Sequence, residues 1–141
     1  MQNWQKAEDI VYNYFSSKKD SYITRLTDTH DINAQLRRFG ERPIVLGKKR
    51  ESDFIVIEDG ITYFAEVKCT TNVKGVTKSL FSSQEGKRNR ILRANGLYHY
   101  FIYSTVREQW YMVPAVVIAE NPNRTWDELK IYKTSRLENV V

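Results

Sequence analysis

The sequence predicts an α/β fold, a mixed β-sheet flanked by helices, and three observations carry that reading. Trp4, Ala7, Val11, Tyr14 and Phe15 recur at helical spacing near the start of the chain. "DFIVI" and "ITYFAEVK" are two apolar strands joined by an Asp59-Gly60 turn signal. "LYHYFIYST", residues 97–105, is an apolar run with few polar breaks, as expected of a strand central to a sheet.

Taken in order, residues 3–18 read as an amphipathic helix, with Ile10 flanking the apolar stripe and Glu8 at its edge. "SYITRLTD" (21–28) alternates enough for a short strand. "HDINAQLRRFGERP" (30–43) is polar, is broken by Gly40 and Pro43, and reads as a loop or short helix. The hairpin follows. Residues 70–81 read as an exposed loop. Ser82 and Glu85 have the spacing of a capping box, 83–95 is helical in pattern, and Gly96 is its stop. After the 97–105 strand, "REQ" (107–109) is a turn and "WYMV" (110–113) a returning strand that ends before Pro114. "TWDELKIYK" predicts a last short helix or strand. Neither an internal repeat nor a low-complexity segment interrupts this order.

A chain of 141 residues predicts one domain, 1–141. At this size roughly 68–70% of the unfolded surface is buried on folding. No apolar run is long enough to span a membrane, and "MQNWQKAEDI" has no apolar signal core. Cys69 is the only cysteine, which excludes an intrachain disulfide and argues against a cysteine-based zinc site. His30 and His99 are not spaced as a helical metal pair. A reducing, cytoplasmic setting is expected.

The net charge is +5, and its distribution says more than its sum. Residues 37–50 carry six cations and one anion, and residues 74–93 the same. Residues 51–73 between them carry five anions and one cation. Basic flanks favour a polyanion. The acidic island needs a cation before phosphates can approach it.

That island holds a constellation. Strand side chains alternate faces, so Glu66 and Lys68 share one face near the strand's end. With the turn at 58–60, Asp53 lies close to opposite Glu66. Cross-strand neighbours approach within about 4.5–8 Å, and two carboxylates at that range repel unless compensated. Mg²⁺ would compensate, because it favours one or two carboxylates plus waters and phosphate oxygens. The Val67 carbonyl offers a further oxygen. Lys68 beside such an ion would orient or deprotonate a water and stabilise charge on a five-coordinate phosphorus. This is chemistry for phosphodiester hydrolysis. The bland alternative is a set of polar strand ends, with Lys68 simply paired to Glu66.

These residues resemble the PD-(D/E)XK nucleases, a superfamily that includes restriction endonucleases and Holliday-junction resolvases. The matching elements are "RESD" with Asp53, the hairpin, "EVK" at 66–68, Glu8 on the preceding helix, and Gln84 in "SSQ" on the following one. "GLYHYFIYS" and "WYMVPA" are similar to small phage and bacterial resolvase-like members. The resemblance covers about residues 4–118. Ser52 stands where the motif has proline. The resemblance implies a restriction-endonuclease-like core and a Mg²⁺-dependent DNA endonuclease, with Mn²⁺ as a substitute ion. Asp53, Glu66 and the Val67 carbonyl would hold the metal, and Lys68 would be the catalytic lysine. Glu8 would act through water or orient Lys68, and Gln84 would position water or metal. The expected substrate is branched DNA, cut by a homodimer. The alternatives are a restriction-type or repair endonuclease, and a DNA-binding module that does not cut.

Lys48, Lys49 and Arg50 precede Asp53, and Lys87, Arg88 and Arg90 follow Gln84. Both sets are placed to touch a phosphate backbone, which gives salt-dependent binding without sequence choice. Asp28, His30 and Asp31 form "DTHD", read as turn or capping chemistry. Cys69, Trp110 and Tyr111 read as packing residues.

Overall fold

The computed structural model describes residues 3–27, 40 and 50–140. The expected 30–43 segment, "DTHD", Lys48 and Lys49 lie outside the described residues. The fold is mixed α/β, built on a six-stranded sheet with the strand order β1-β2-β3-β5-β6-β8. Its members are β1 (Ser21–Arg25), β2 (Phe54–Glu58), β3 (Ile61–Thr70), β5 (Tyr98–Ser104), β6 (Gln109–Pro114) and β8 (Lys133–Thr134). β4 (Gly75–Val76) and β7 (Arg124–Thr125) form a separate two-stranded sheet. β3 and β5 run parallel, and the other neighbours in the large sheet are antiparallel. β5, the 97–105 run, is interior to the sheet as its apolar sequence predicts.

Alternation divides the sheet into two cores. Helix α1 (Asn3–Ser17) lays Ala7, Val11 and Phe15 on one face, against Val56, Ala65 and Phe101. On the other face, Tyr100, Ile102 and Tyr111 pack beneath Phe81 and Ile118. Those two come from a 3₁₀ helix (Lys78–Gln84) and from α3 (Ala115–Glu120); α2 (Glu85–Arg93) follows the 3₁₀ helix directly. Among the described residues no helix is long and apolar enough to cross a membrane.

The hairpin turn takes the predicted form. Asp59 and Gly60 both have positive φ, at 53° and 79°, as a two-residue turn matched to strand twist requires. It sets the register Phe54↔Ala65. The next step along that register puts Asp53 opposite Glu66.

Four expectations are corrected. Residues 70–81 are not a plain loop: Gly75 and Val76 are buried and pair with β7. A Cβ on Gly75 would lie 1.9 Å from the Arg124 carbonyl oxygen, so only glycine allows this approach. The capping box does not form, because Ser82 lies inside the 3₁₀ helix and donates its hydroxyl to the Ser79 carbonyl. The stop after α2 belongs to Asn95, at φ 62°, and not to Gly96. Asn95 and Gly96 then donate their amides to the carbonyls of Leu92 and Ile91, the paired bonds that close a helix end. Trp4 leaves the apolar stripe and is half exposed.

Candidate functional site

β3 is longer than β2. Their pairing ends at Phe54↔Ala65, while β3 continues to Thr70 with β5 alone beside it. This opens one edge of β3 past Ala65. A strand residue's N–H and C=O point to the same neighbour. Phe64 donates its amide towards the β5 side, to Leu97, so Val67 must face the open edge. There the Asp53 side chain replaces the missing strand, and its Oδ2 accepts the Val67 amide at 2.7 Å. The Val67 carbonyl lies on the same edge. The longer strand therefore creates both the gap and the reason for a carboxylate to fill it.

A cleft of about 260 Å³ forms at this edge, and its lining includes Glu8, Arg50, Asp53, Glu66, Lys68 and Gln84. Three elements and the residues before β2 thus bring every predicted catalytic and acidic residue to one place. Glu8 comes from α1, Glu66 and Lys68 from β3, and Gln84 from the last position of the 3₁₀ helix. Glu8 is not at the rim of the helical stripe but buried, with 8% exposure, and its Oε1 accepts from Arg25 at 3.2 Å. The half-buried Gln84 accepts a hydrogen bond from the Ser83 hydroxyl.

The electrostatics are lopsided. Glu66 is 2% exposed, and its Oε1 is buried without a hydrogen-bond partner. Its Oε2 stands 3.5 Å from Lys68 Nζ. Burial first, then the negative charge of Asp53 and a hydrogen bond that the protonated Glu66 makes to it, push the Glu66 carboxyl up to about 9 against the pull of Lys68 and Arg50. Burial and Asp53 likewise push Glu8 up to about 7, with Arg50 and Arg25 pulling it down. Asp53 is anchored by Arg50, whose guanidinium donates to Oδ1 at 2.7 Å. Among the described residues no group of three or more His, Cys, Asp or Glu side chains is arranged to hold a metal ion.

The predicted phosphate contacts divide. Arg50 turns into the cleft and holds Asp53. Lys87 is half-buried and 3.5 Å from Glu51, and Arg90 is exposed. Arg88 does not lie on a solvent face: it is 4% exposed and donates to the Tyr100 hydroxyl at 3.2 Å, tying α2 to the sheet. At 100° per residue, Arg88 and Arg90 are 200° apart on α2, so one face cannot present both. Cys69 is half-buried against the α1-side core, and Trp110 and Tyr111 are fully buried. The contributions of Arg25 and Arg50 were not legible. Arg50 reads from the sequence as a phosphate-backbone contact, and nothing in the sequence singles out Arg25.

No protein-family model matches the chain, and no curated protein matches it either.

Proposed function

We propose that this chain is a metal-dependent DNA endonuclease that hydrolyses phosphodiester bonds in branched DNA. The observation that carries the reading is the convergence of Asp53, Glu66 and Lys68 with Glu8 and Gln84 on one cleft. The chain order supports it as well: a helix, three antiparallel strands, then a helix leading into a strand parallel to the third, as expected of a restriction-endonuclease-like core.

The site fits a divalent ion. A buried carboxylate oxygen without a hydrogen-bond partner, a second carboxylate opposite it and a backbone carbonyl on the same edge make a partial oxygen shell. Mg²⁺ takes such shells and completes them with water and phosphate oxygens. Asp53, Glu66 and the Val67 carbonyl would hold it, with Mn²⁺ as substitute. When bound, the ion supplies Lewis-acid polarisation of the phosphate.

The chain's own groups do the rest. Lys68 projects its ammonium beside Glu66, where it orients an attacking water and offsets charge building on the phosphoryl oxygens. Glu8 stands in the same cleft with its carboxyl pushed up to about 7, in range to exchange a proton with water near neutral pH. Gln84 supplies a neutral amide to hold water or phosphate. Arg50 holds Asp53 against the open edge.

The test is incubation with four-way junction, linear duplex, flap and single-stranded DNA, with Mg²⁺ or EDTA, alongside Asp53→Asn and Lys68→Ala. Symmetric nicking of the junction, lost in EDTA and in both variants, is expected, with a homodimer in solution by light scattering. Sequence-specific cutting of linear duplex would redirect the reading to a restriction-type enzyme. Binding without Mg²⁺-dependent cleavage of any substrate would sink the enzyme and leave a DNA-binding module.

A further inference from the structure

A second groove, of about 470 Å³, is lined by Thr70, Thr71, Asn72, Thr77, Ser79 and Leu80. Its lining residues adjoin those of the cleft along the chain. The cleft lies between β3 residues such as Lys68 and Cys69 and the 3₁₀ residues Ser83 and Gln84. The groove takes up at Thr70 on one side and at Leu80 and Ser79 on the other. The two depressions thus take their walls from neighbouring residues of the same two segments, Cys69 and Thr70 on β3 and Leu80 and Ser83 on the 3₁₀ helix. At about 3.3 Å per strand residue, Glu66 to Thr71 spans roughly 16 Å.

The lining is specific in kind. It holds hydroxyls and an amide, and none of its residues is acidic. Lys74, just before β4, and Lys78, at the start of the 3₁₀ helix, are both exposed. Trp126 Nε1 donates to the Asn72 carbonyl at 3.0 Å, and the Trp126 amide donates to the Lys74 carbonyl at 3.1 Å. Asn72 Oδ1 accepts the amides of Lys74 and Gly75 at 2.9 and 3.3 Å. The Lys78 amide donates to Asn123 Oδ1 at 3.1 Å. The β4–β7 pair, with its obligatory Gly75, fixes the chain between Asn72 and Thr77. Thr70 Oγ1 also accepts the Asn72 amide at 3.2 Å, and the Thr77 and Ser79 hydroxyls pair at 3.1 Å, so these polar groups are pre-positioned, which lowers the ordering cost of a bound ligand.

We propose that this groove binds the sugar–phosphate backbone of the DNA strand leading away from the scissile phosphate. The inference rests on the nuclease reading and adds a substrate path to it. Hydroxyl, amide and backbone N–H donors are common phosphate contacts that set register without reading sequence. The groove positions the strand by neutral hydrogen bonds, and Lys74 and Lys78, each within two residues of a lining residue along the chain, supply the charge.

The experiment is fluorescence anisotropy with labelled four-way junction and linear duplex in EDTA, so that nothing is cut. Thr71→Glu with Ser79→Glu places two carboxylates on exposed walls and is expected to weaken binding at least tenfold, with an unchanged melting temperature. Thr71→Ala with Ser79→Ala is expected to cost about two- to fourfold and leave the salt slope intact. Lys74→Ala with Lys78→Ala is expected to flatten the log–log salt slope by about 2. A wild-type chain that cuts DNA with Mg²⁺, while the double glutamate variant binds within twofold of it, removes the groove and leaves the nuclease standing. A wild type that binds none of these DNAs removes both.

Discussion

The two ends of the β2–β3 hairpin each hold a glutamate, and they treat it in opposite ways. At the turn end, Glu58 receives Lys18 from the end of α1 and Arg136 from the C-terminal segment on the same carboxylate oxygen. Burial pushes its pKa up, but the two cations outweigh burial and hold it below the ordinary glutamate value. At the open end, Glu66 has one cation at 3.5 Å, a second carboxylate across from it and an oxygen without a hydrogen-bond partner, and its pKa rises to about 9. Glu58 is a finished ion-pair network. Glu66 is short of positive charge. One short piece of sheet separates a carboxylate paired into the fold from one left short of positive charge, and perturbed acids of the second kind collect at functional sites.

The largest expected contrast is catalytic. Glu66→Gln should lower Mg²⁺-dependent DNA cleavage by about a hundredfold or more, the scale of losing one charge-stabilising group. Glu58→Gln should leave cleavage within about twofold. Equal losses in the two variants would erase the distinction between the two ends.

The next contrast lies in stability against pH. Glu66 and Glu8 have folded pKa values raised above the unfolded one, so folding takes up protons. The stability this brings is fully present below about 4.5 and is lost as pH rises through about 7 for Glu8 and about 9 for Glu66. In EDTA the melting temperature should therefore fall between about pH 5 and pH 9, and Glu66→Gln should remove most of that fall. Glu58 has the opposite sign: its lowered pKa gives stability above the ordinary glutamate range that is lost in acid.

A smaller effect concerns Arg50. Its guanidinium already occupies one Asp53 oxygen, so a divalent ion must share or displace it. Arg50→Gln should tighten Mn²⁺ binding to the DNA-free protein several-fold by calorimetry, while weakening the metal-free fold. Unchanged or weaker Mn²⁺ binding would mean that Arg50 and the ion do not compete. The smallest effect is on the fold at the turn end. Glu58→Gln should cost about 1 kcal/mol in urea unfolding, the upper range for partly exposed ion pairs.

The legibility of the site followed the range of the interactions. Asp53, Glu66 and Lys68 could be placed together because an Asp-Gly turn and a two-residue period fix a hairpin's register locally. Gln84 was reachable only through the resemblance, since nothing in "SSQEG" forces a 3₁₀ helix back along β3. Glu8 was read one step too exposed, because the width of a buried helical stripe depends on what covers it. Arg88 was misjudged for a related reason: a run of cations looks solvated until a partner such as Tyr100 takes one inside. The groove was hidden altogether. β4 and β7 are two residues each, too short for any period, and they meet across a long stretch of chain.

The sequence by itself determined the α/β class, the hairpin with its register and the acid pair at the hairpin's open end, because each is set by neighbours a few residues apart. Tertiary structure alone decided that β3 should outlast β2, that Glu8 and Gln84 should close on the exposed edge, and that Arg50 should turn inward to Asp53. Those outcomes depend on helices docking on opposite faces of one sheet, and on burial that strips water from carboxylates. Neither is a property of any short stretch of chain.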